Sequence, residues 1–189
     1  MNKKSLLFLI IVIILAVAAI IAGRAFFSGN DPGGETPTEP DPVTETDKPE
    51  KISRKVKLYF ASEDGMSFKT EERVIESAGE KDLPLDILKE LINGPQEAGV
   101  YPALNKSTEI LGVEVKNKIA DVRLGDNFIS LNTGGSTKEF ISVFSVVNTL
   151  TDLDEIEAVT FSYGGNPVYE FGSFYFDEPC VKKMSVNEL

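Results

Sequence analysis

From Leu6 to Ala22 the chain is apolar without a break for 17 residues, about 25 Å of helix, at the short end of what spans a bilayer. The pattern then changes character. From Lys55, Val56, Leu58 and Phe60 alternate with Lys57 and Tyr59, which predicts a strand with one buried face. Ser62-Glu63-Asp64-Gly65 reads as a turn and Glu72 to Ser77 as a second extended piece. Over Leu83 to Ile92 the spacing becomes helical, with Leu85, Leu88, Leu91 and Ile92 on one face, Asp82 as N-cap, Pro84 in the first turn and Gly94-Pro95 closing the end. Alternation returns at Ile110 to Lys116 and at Ile119 to Leu124, and Asn117-Lys118 between them predicts a hairpin, although Gly suits the second turn position better than Lys. Ser136-Thr137-Lys138-Glu139 has the form of a capping box before a stripe of Phe140, Val143, Phe144, Val147 and Leu150. Ala158 to Tyr163 predicts a strand, Gly164 to Pro167 a turn, and Val168 to Phe176 an aromatic tail that completes the core or offers an apolar edge to a partner.

That order predicts an α+β fold, with a small mixed or antiparallel sheet and two helices packed on one face. Charge divides the chain further. Residues 1–27 hold no acid and three bases, and the lysines at the start place that end in the cytoplasm. The apolar run is longer than the usual 7–15 residues of a cleaved signal, and Arg24 stands just before the best cleavage position, after Ala25. The expectation is an uncleaved membrane anchor, with a cleaved signal as the alternative. Residues 28–50 carry five prolines, seven acids and one lysine, and read as a disordered acidic linker reaching at most about 70 Å. Residues 51–189 then form one extracytoplasmic domain with 23 acids and 15 bases.

The whole chain has 30 acids, 19 bases, no His, no Trp and one Cys. These counts exclude histidine-dependent catalysis, a disulfide within the chain and a four-cysteine metal site. A net charge of -11 excludes nucleic acid as a partner. No cofactor, catalytic residue or metal ligand is expected. A carboxylate pair is the one catalytic device left, and the densest acids are Asp152, Asp154, Glu155 and Glu157, which read as a solvated helix end and turn. Asp121 reads as an outward acid paired with Arg123 or Lys116. Ser136 with Lys138 is accounted for by the cap, Gly134-Gly135 lacks the motifs of a phosphate loop, and Cys180 is expected to be an incidental small residue.

Leu58-Tyr59-Phe60, the Asp64-Gly65 turn, Arg73-Val74, Leu91-Ile92-Asn93-Gly94-Pro95 and the hairpin from Asn117 through Asp121 to Leu124 together resemble a GerM-type domain of sporulation and spore germination proteins. Gly135 to Glu139, Val147-Asn148-Thr149-Leu150-Thr151 and Gly164-Gly165 extend the resemblance, which covers residues 55–172. Departures are the single copy, Lys118 where Gly is usual, no lipid-accepting cysteine, and a tail from Ser173 onward that matches nothing in the family. The resemblance implies a non-enzymatic, membrane-tethered module, similar to ring-building domains, that binds envelope or sporulation proteins and could self-associate. A sensor for a wall fragment is the alternative, and a carboxylate-dependent wall hydrolase comes third. Amino-terminal sequencing of the mature protein separates anchor from signal: an anchor leaves the original start, and a start near Phe26 overturns it.

Overall fold

The computed structural model describes residues 51–188. The expected membrane helix of residues 1–27 and the linker of residues 28–50 lie outside the described residues. Among those described, no helix is long and apolar enough to cross a membrane.

Strands β1 (Ile52–Ala61) and β2 (Phe68–Ser77) form an antiparallel ladder of their own. The turn between them is held by Asp64, which accepts from the Ser62 hydroxyl at 2.5 Å and the Met66 amide at 2.9 Å. Helix α1 (Leu83–Asn93) follows, and its buried face is Leu83, Pro84, Ile87, Leu88 and Leu91. Leu85 and Ile92, expected on that face, are only half-buried, and Asp82 makes no side-chain cap. The helix is rotated so that Asp86 accepts from the Ser77 hydroxyl of β2 at 2.8 Å.

The predicted hairpin is β3 (Ile110–Lys116) and β4 (Ile119–Leu124). Its turn residues Asn117 and Lys118 both take positive φ, 51° and 63°, so Lys118 accepts the left-handed conformation that the strand twist requires. After β4 come a short helix α2 (Phe128–Asn132), absent from the sequence expectation, and α3 (Ser136–Leu150). The chain then returns as β5 (Ala158–Tyr163), parallel to β4, and Gly164-Gly165 turns it into β6 (Asn166–Pro167). The second sheet is therefore mixed, in the order β3-β4-β5-β6. A small hairpin of β7 (Glu170–Phe171) and β8 (Phe174–Tyr175) and a 3-10 turn at Val186–Glu188 complete the described residues.

The expectation of two helices on one sheet face needs correcting. Helix α3 packs against β1, β5, β8 and α1 together, so it is buried on every side from Glu139 to Leu150 rather than along one stripe. Its polar side chains are consequently all bonded inside. Ser142 donates to the Ala103 carbonyl at 3.1 Å, Asn148 to the Lys183 carbonyl at 2.7 Å, and Thr149 Oγ1 accepts the Tyr59 amide at 3.1 Å. The tail fills the remaining gaps: Phe171 meets Phe128 edge-on, and Phe176 lies against Phe161.

The capping box also differs. Gly135 is the N-cap and Ser136 the first, exposed residue of α3, with no side-chain cap. Glu139 keeps its half of the device, accepting the Gly134 and Gly135 amides at 3.2 and 3.3 Å, and adds the Ser173 amide at 2.8 Å. The Ser173 amide lowers the Glu139 pKa most, and with the two glycine amides it overcomes the upward push of burial. Gly172, at φ 59°, is required here, because a Cβ would run into that carboxylate.

Because the folded-state pKa lies below the ordinary 4.5, this carboxylate stabilises the fold fully above about pH 4.5, and the contribution fades as pH falls through the folded value. Glu139→Gln is expected to cost about 1–3 kcal/mol in urea unfolding at neutral pH and to make the acid limb of stability shallower. Gly172→Ala is expected to cost a similar amount, roughly 1–3 kcal/mol, by overpacking.

Candidate functional site

The residues singled out from the sequence fall into three places, with Leu58, Leu124 and Leu150 as core between them. The first place gathers Phe60, Arg73, Gly94 and Pro95. Only 9% of the Arg73 side chain is exposed, and its guanidinium lies 5.3 Å from the centre of the Phe60 ring. It donates to Glu71 at 2.5 Å, to Glu90 at 2.5 Å and to the Gly94 carbonyl at 2.8 Å. Gly94 ends α1 at φ 92°, and Pro95 then directs the Gln96 and Glu97 amides onto the Glu71 carboxylate at 3.0 and 2.8 Å. Burial pushes the Glu71 carboxyl up, but Arg73 and the two amides outweigh it and hold its pKa below the ordinary value. This is a sealed clamp joining β2 to the end of α1. Its Arg73 Nε has no hydrogen-bond partner, consistent with a group committed to packing on Phe60.

The second place contains Tyr59 and Thr149. Tyr59 was expected to face solvent but is buried, because the tail crosses it: Lys182 sits 4.6 Å from the ring centre. The Tyr59 hydroxyl donates to Asp152 at 2.8 Å, and Lys182 donates to both Asp152 and the Tyr59 hydroxyl at 2.8 Å. Burial raises the Asp152 pKa, while Lys182 and Tyr59 lower it further, leaving the carboxyl below its ordinary range.

The third place contains Asp121 and Gly165, which line a cavity of about 480 Å³ on the outer face of β4 and β5. Asp121 does not pair with Arg123 or Lys116 as expected. It accepts instead from the Thr160 and Ser162 hydroxyls of β5, at 3.1 and 2.7 Å, because the parallel pairing of β4 with β5 sets those side chains beside it.

The acidic run after α3 is dispersed by its partners. Glu155 is bound by Arg54, Glu157 by Lys118 at 2.5 Å and Asp152 by Lys182, while Asp154 faces solvent. The fully buried carboxylates among the described residues are Glu71 and Glu139, both filled by backbone amides. The Gly134-Gly135 amides are thus occupied from within, and Lys138 donates to the Leu131 and Thr133 carbonyls rather than to Ser136. No group of three His, Cys, Asp or Glu that could hold a metal occurs among the described residues. Cys180 is buried beside Val159, and burial pushes its thiol up to about 11, so it is unreactive. Sequence reasoning missed Glu71 and Lys182. Glu71 had a signal, since it stands two residues before Arg73 on the same strand face; Lys182 had none.

These features define an α+β module whose buried charged side chains hold its own segments together. The family model described as sporulation and spore germination, the Germane domain, matches residues 57–169, and the chain belongs to that family. The first GerMN domain of the sporulation protein GerM from Bacillus subtilis superimposes with a TM-score of 0.51 at 18% identity, covering 71% of this chain and 98% of that one. The tandem GerMN domains of the same protein give 0.52 at 20% identity, with 71% of this chain and 47% of that chain covered. A Clostridium perfringens chain described as a candidate lipoprotein is 24% identical over 72% of this chain and 94% of its own, with a TM-score of 0.48. At these identities the likeness is one of fold. No curated protein matches the chain.

Removing the guanidinium strands a buried carboxylate, so Arg73→Ala is expected to cost about 3–5 kcal/mol by thermal or urea unfolding. The double variant Glu71→Gln with Arg73→Ala should cost less than the sum of the two single changes.

Proposed function

We propose that this chain is a non-enzymatic, membrane-held module on the outer side of the membrane that works by binding other envelope proteins during sporulation or germination. The observation that carries this reading is the match of the sporulation and spore germination family model to residues 57–169. Every carboxylate with a resolved shift among the described residues (Asp64, Glu71, Glu72, Asp86, Glu114, Glu139 and Asp152) is shifted down. A wall hydrolase needs two carboxyl groups facing each other across a cleft, whereas the buried carboxylates Glu71 and Glu139 are each filled by backbone amides.

Family membership supports the link to sporulation, and the 17-residue apolar run supports tethering with the domain outside. A contact surface is available at β3, the outer strand of the mixed sheet, where Leu111 is 61% exposed and Val115 38%. An edge strand offers unpaired backbone groups to an added strand, and apolar side chains beside it raise the affinity.

The full chain, solubilised in mild detergent from crosslinked sporulating and vegetative cells, is expected to carry envelope proteins with it. Leu111→Lys together with Val115→Lys should reduce that recovery at an unchanged melting temperature. Recovery of no partner under either condition overturns the binding reading, and wall-sugar release that is lost in Asp121→Asn or Asp152→Asn replaces it with hydrolysis.

A further inference from the structure

The cavity on the outer face of β4 and β5 is built unlike the other charged places in the domain. Asp121 and Arg123 lie two residues apart on one strand face, about 6.6 Å along the strand, close enough for an Asp–Arg pair. They are not paired, and among the described residues no ion pair reaches either one. Each is held apart by a neighbour. Asp121 is turned toward β5 by the Thr160 and Ser162 hydroxyls. Arg123 lies over Gly112 of β3, where any side chain would collide with its guanidinium. Glu114, opposite Asp121 across the β3–β4 ladder, pairs with Lys116 at 2.8 Å, and its pKa is lowered first by Lys116 and to a lesser degree by the Arg123 charge.

The hydrogen-bond directions specify what each end accepts. Both hydroxyl protons point at Asp121, so the Thr160 and Ser162 oxygens are left with lone pairs, and with the carboxylate they make a cluster of acceptors without a donor. Such a cluster suits an ammonium group. The Arg123 guanidinium, with its five N–H donors free of carboxylate, suits a carboxylate. The cavity also has an apolar lining of Val168 and of Phe176, which lies against Phe161. At the mouth, exposed Asp177 and Glu178 disfavour a ligand of net negative charge. A cavity of about 480 Å³ is of ordinary size for a small molecule.

We infer that this cavity binds a small zwitterion with an apolar side chain, an amino acid or a short peptide, its ammonium on Asp121 and its carboxylate on Arg123. The site is separate from the protein-binding surface at β3, because neither Leu111 nor Val115 lines it. One domain can therefore carry both.

Isothermal titration of the full chain in detergent tests the site with L-leucine, N-acetyl-leucine, leucine amide, trileucine and glucose. L-leucine should bind saturably, and losing either its ammonium by acetylation or its carboxylate by amidation should weaken binding at least tenfold. Asp121→Asn and Arg123→Gln should each weaken L-leucine at least tenfold. Arg123→Gln removes an exposed, unpaired group and should leave the melting temperature unchanged, so it decides the matter if Asp121→Asn destabilises the fold. Trileucine binding as well as leucine assigns the site to peptides, and weaker binding assigns it to free amino acids. No saturable heat with leucine or trileucine, equal binding of the blocked forms, binding of glucose instead, or binding that survives Arg123→Gln overturns the inference.

Discussion

Burying α3 on every side from Glu139 to Leu150 is the constraint from which most of the domain follows. A helix sealed in this way can carry polar side chains only if each finds a partner inside, since an unpaired buried group costs about 1–3 kcal/mol. Ser142, Asn148, Thr149 and Glu139 meet that requirement by reaching outward to the loop at Ala103, the tail at Lys183, strand β1 at Tyr59 and the turn at Ser173. The polar residues of the helix thereby fix where four otherwise separate segments lie. The two larger sheets share no strand, and both long helices, α1 and α3, pack against both.

The division of labour among the charges follows the same logic. Where acids are buried they are saturated by amides or by Arg73, and several at the surface, Glu72, Glu155 and Glu157 among them, meet a lysine or arginine of a neighbouring element. On the outer face of β4 an acid and a base two residues apart on one strand make no ion pair with each other. That separation sets the face apart from the clamp at Arg73, where the acids and the base are joined.

Local pattern made much of this legible. The hairpin, both long helices, β5 and the membership of the family were all readable from period, caps and motif order. What the sequence could not convey was everything decided by distant segments. Alternation predicted that Tyr59 would face water, because nothing near it in sequence announces that Lys182, 123 residues later, covers its ring. The stripe on α3 was visible, but not the burial of its other faces, since Ser and Thr at those positions read as solvated until their partners are known. Asp121 was misassigned for the same reason: its neighbours were judged along β3 and β4, and the parallel strand that supplies its hydroxyls arrives after two helices. Leu85 and Ile92 differ from expectation only by a small rotation of α1, set by the Ser77–Asp86 bond.

The dependence of α3 on Ser173, Lys182 and Lys183 also bears on the order of events as the chain is made. A chain emerging from its amino end presents the sheet strands and the central helix first, while the groups that satisfy Glu139 and Asn148 arrive last. Until residue 183 has emerged, the helix has polar groups without partners and an aromatic core without the Phe171 and Phe176 rings that close it. The core of the domain therefore closes only once its tail has joined it, so the domain folds as a unit rather than progressively from its amino end.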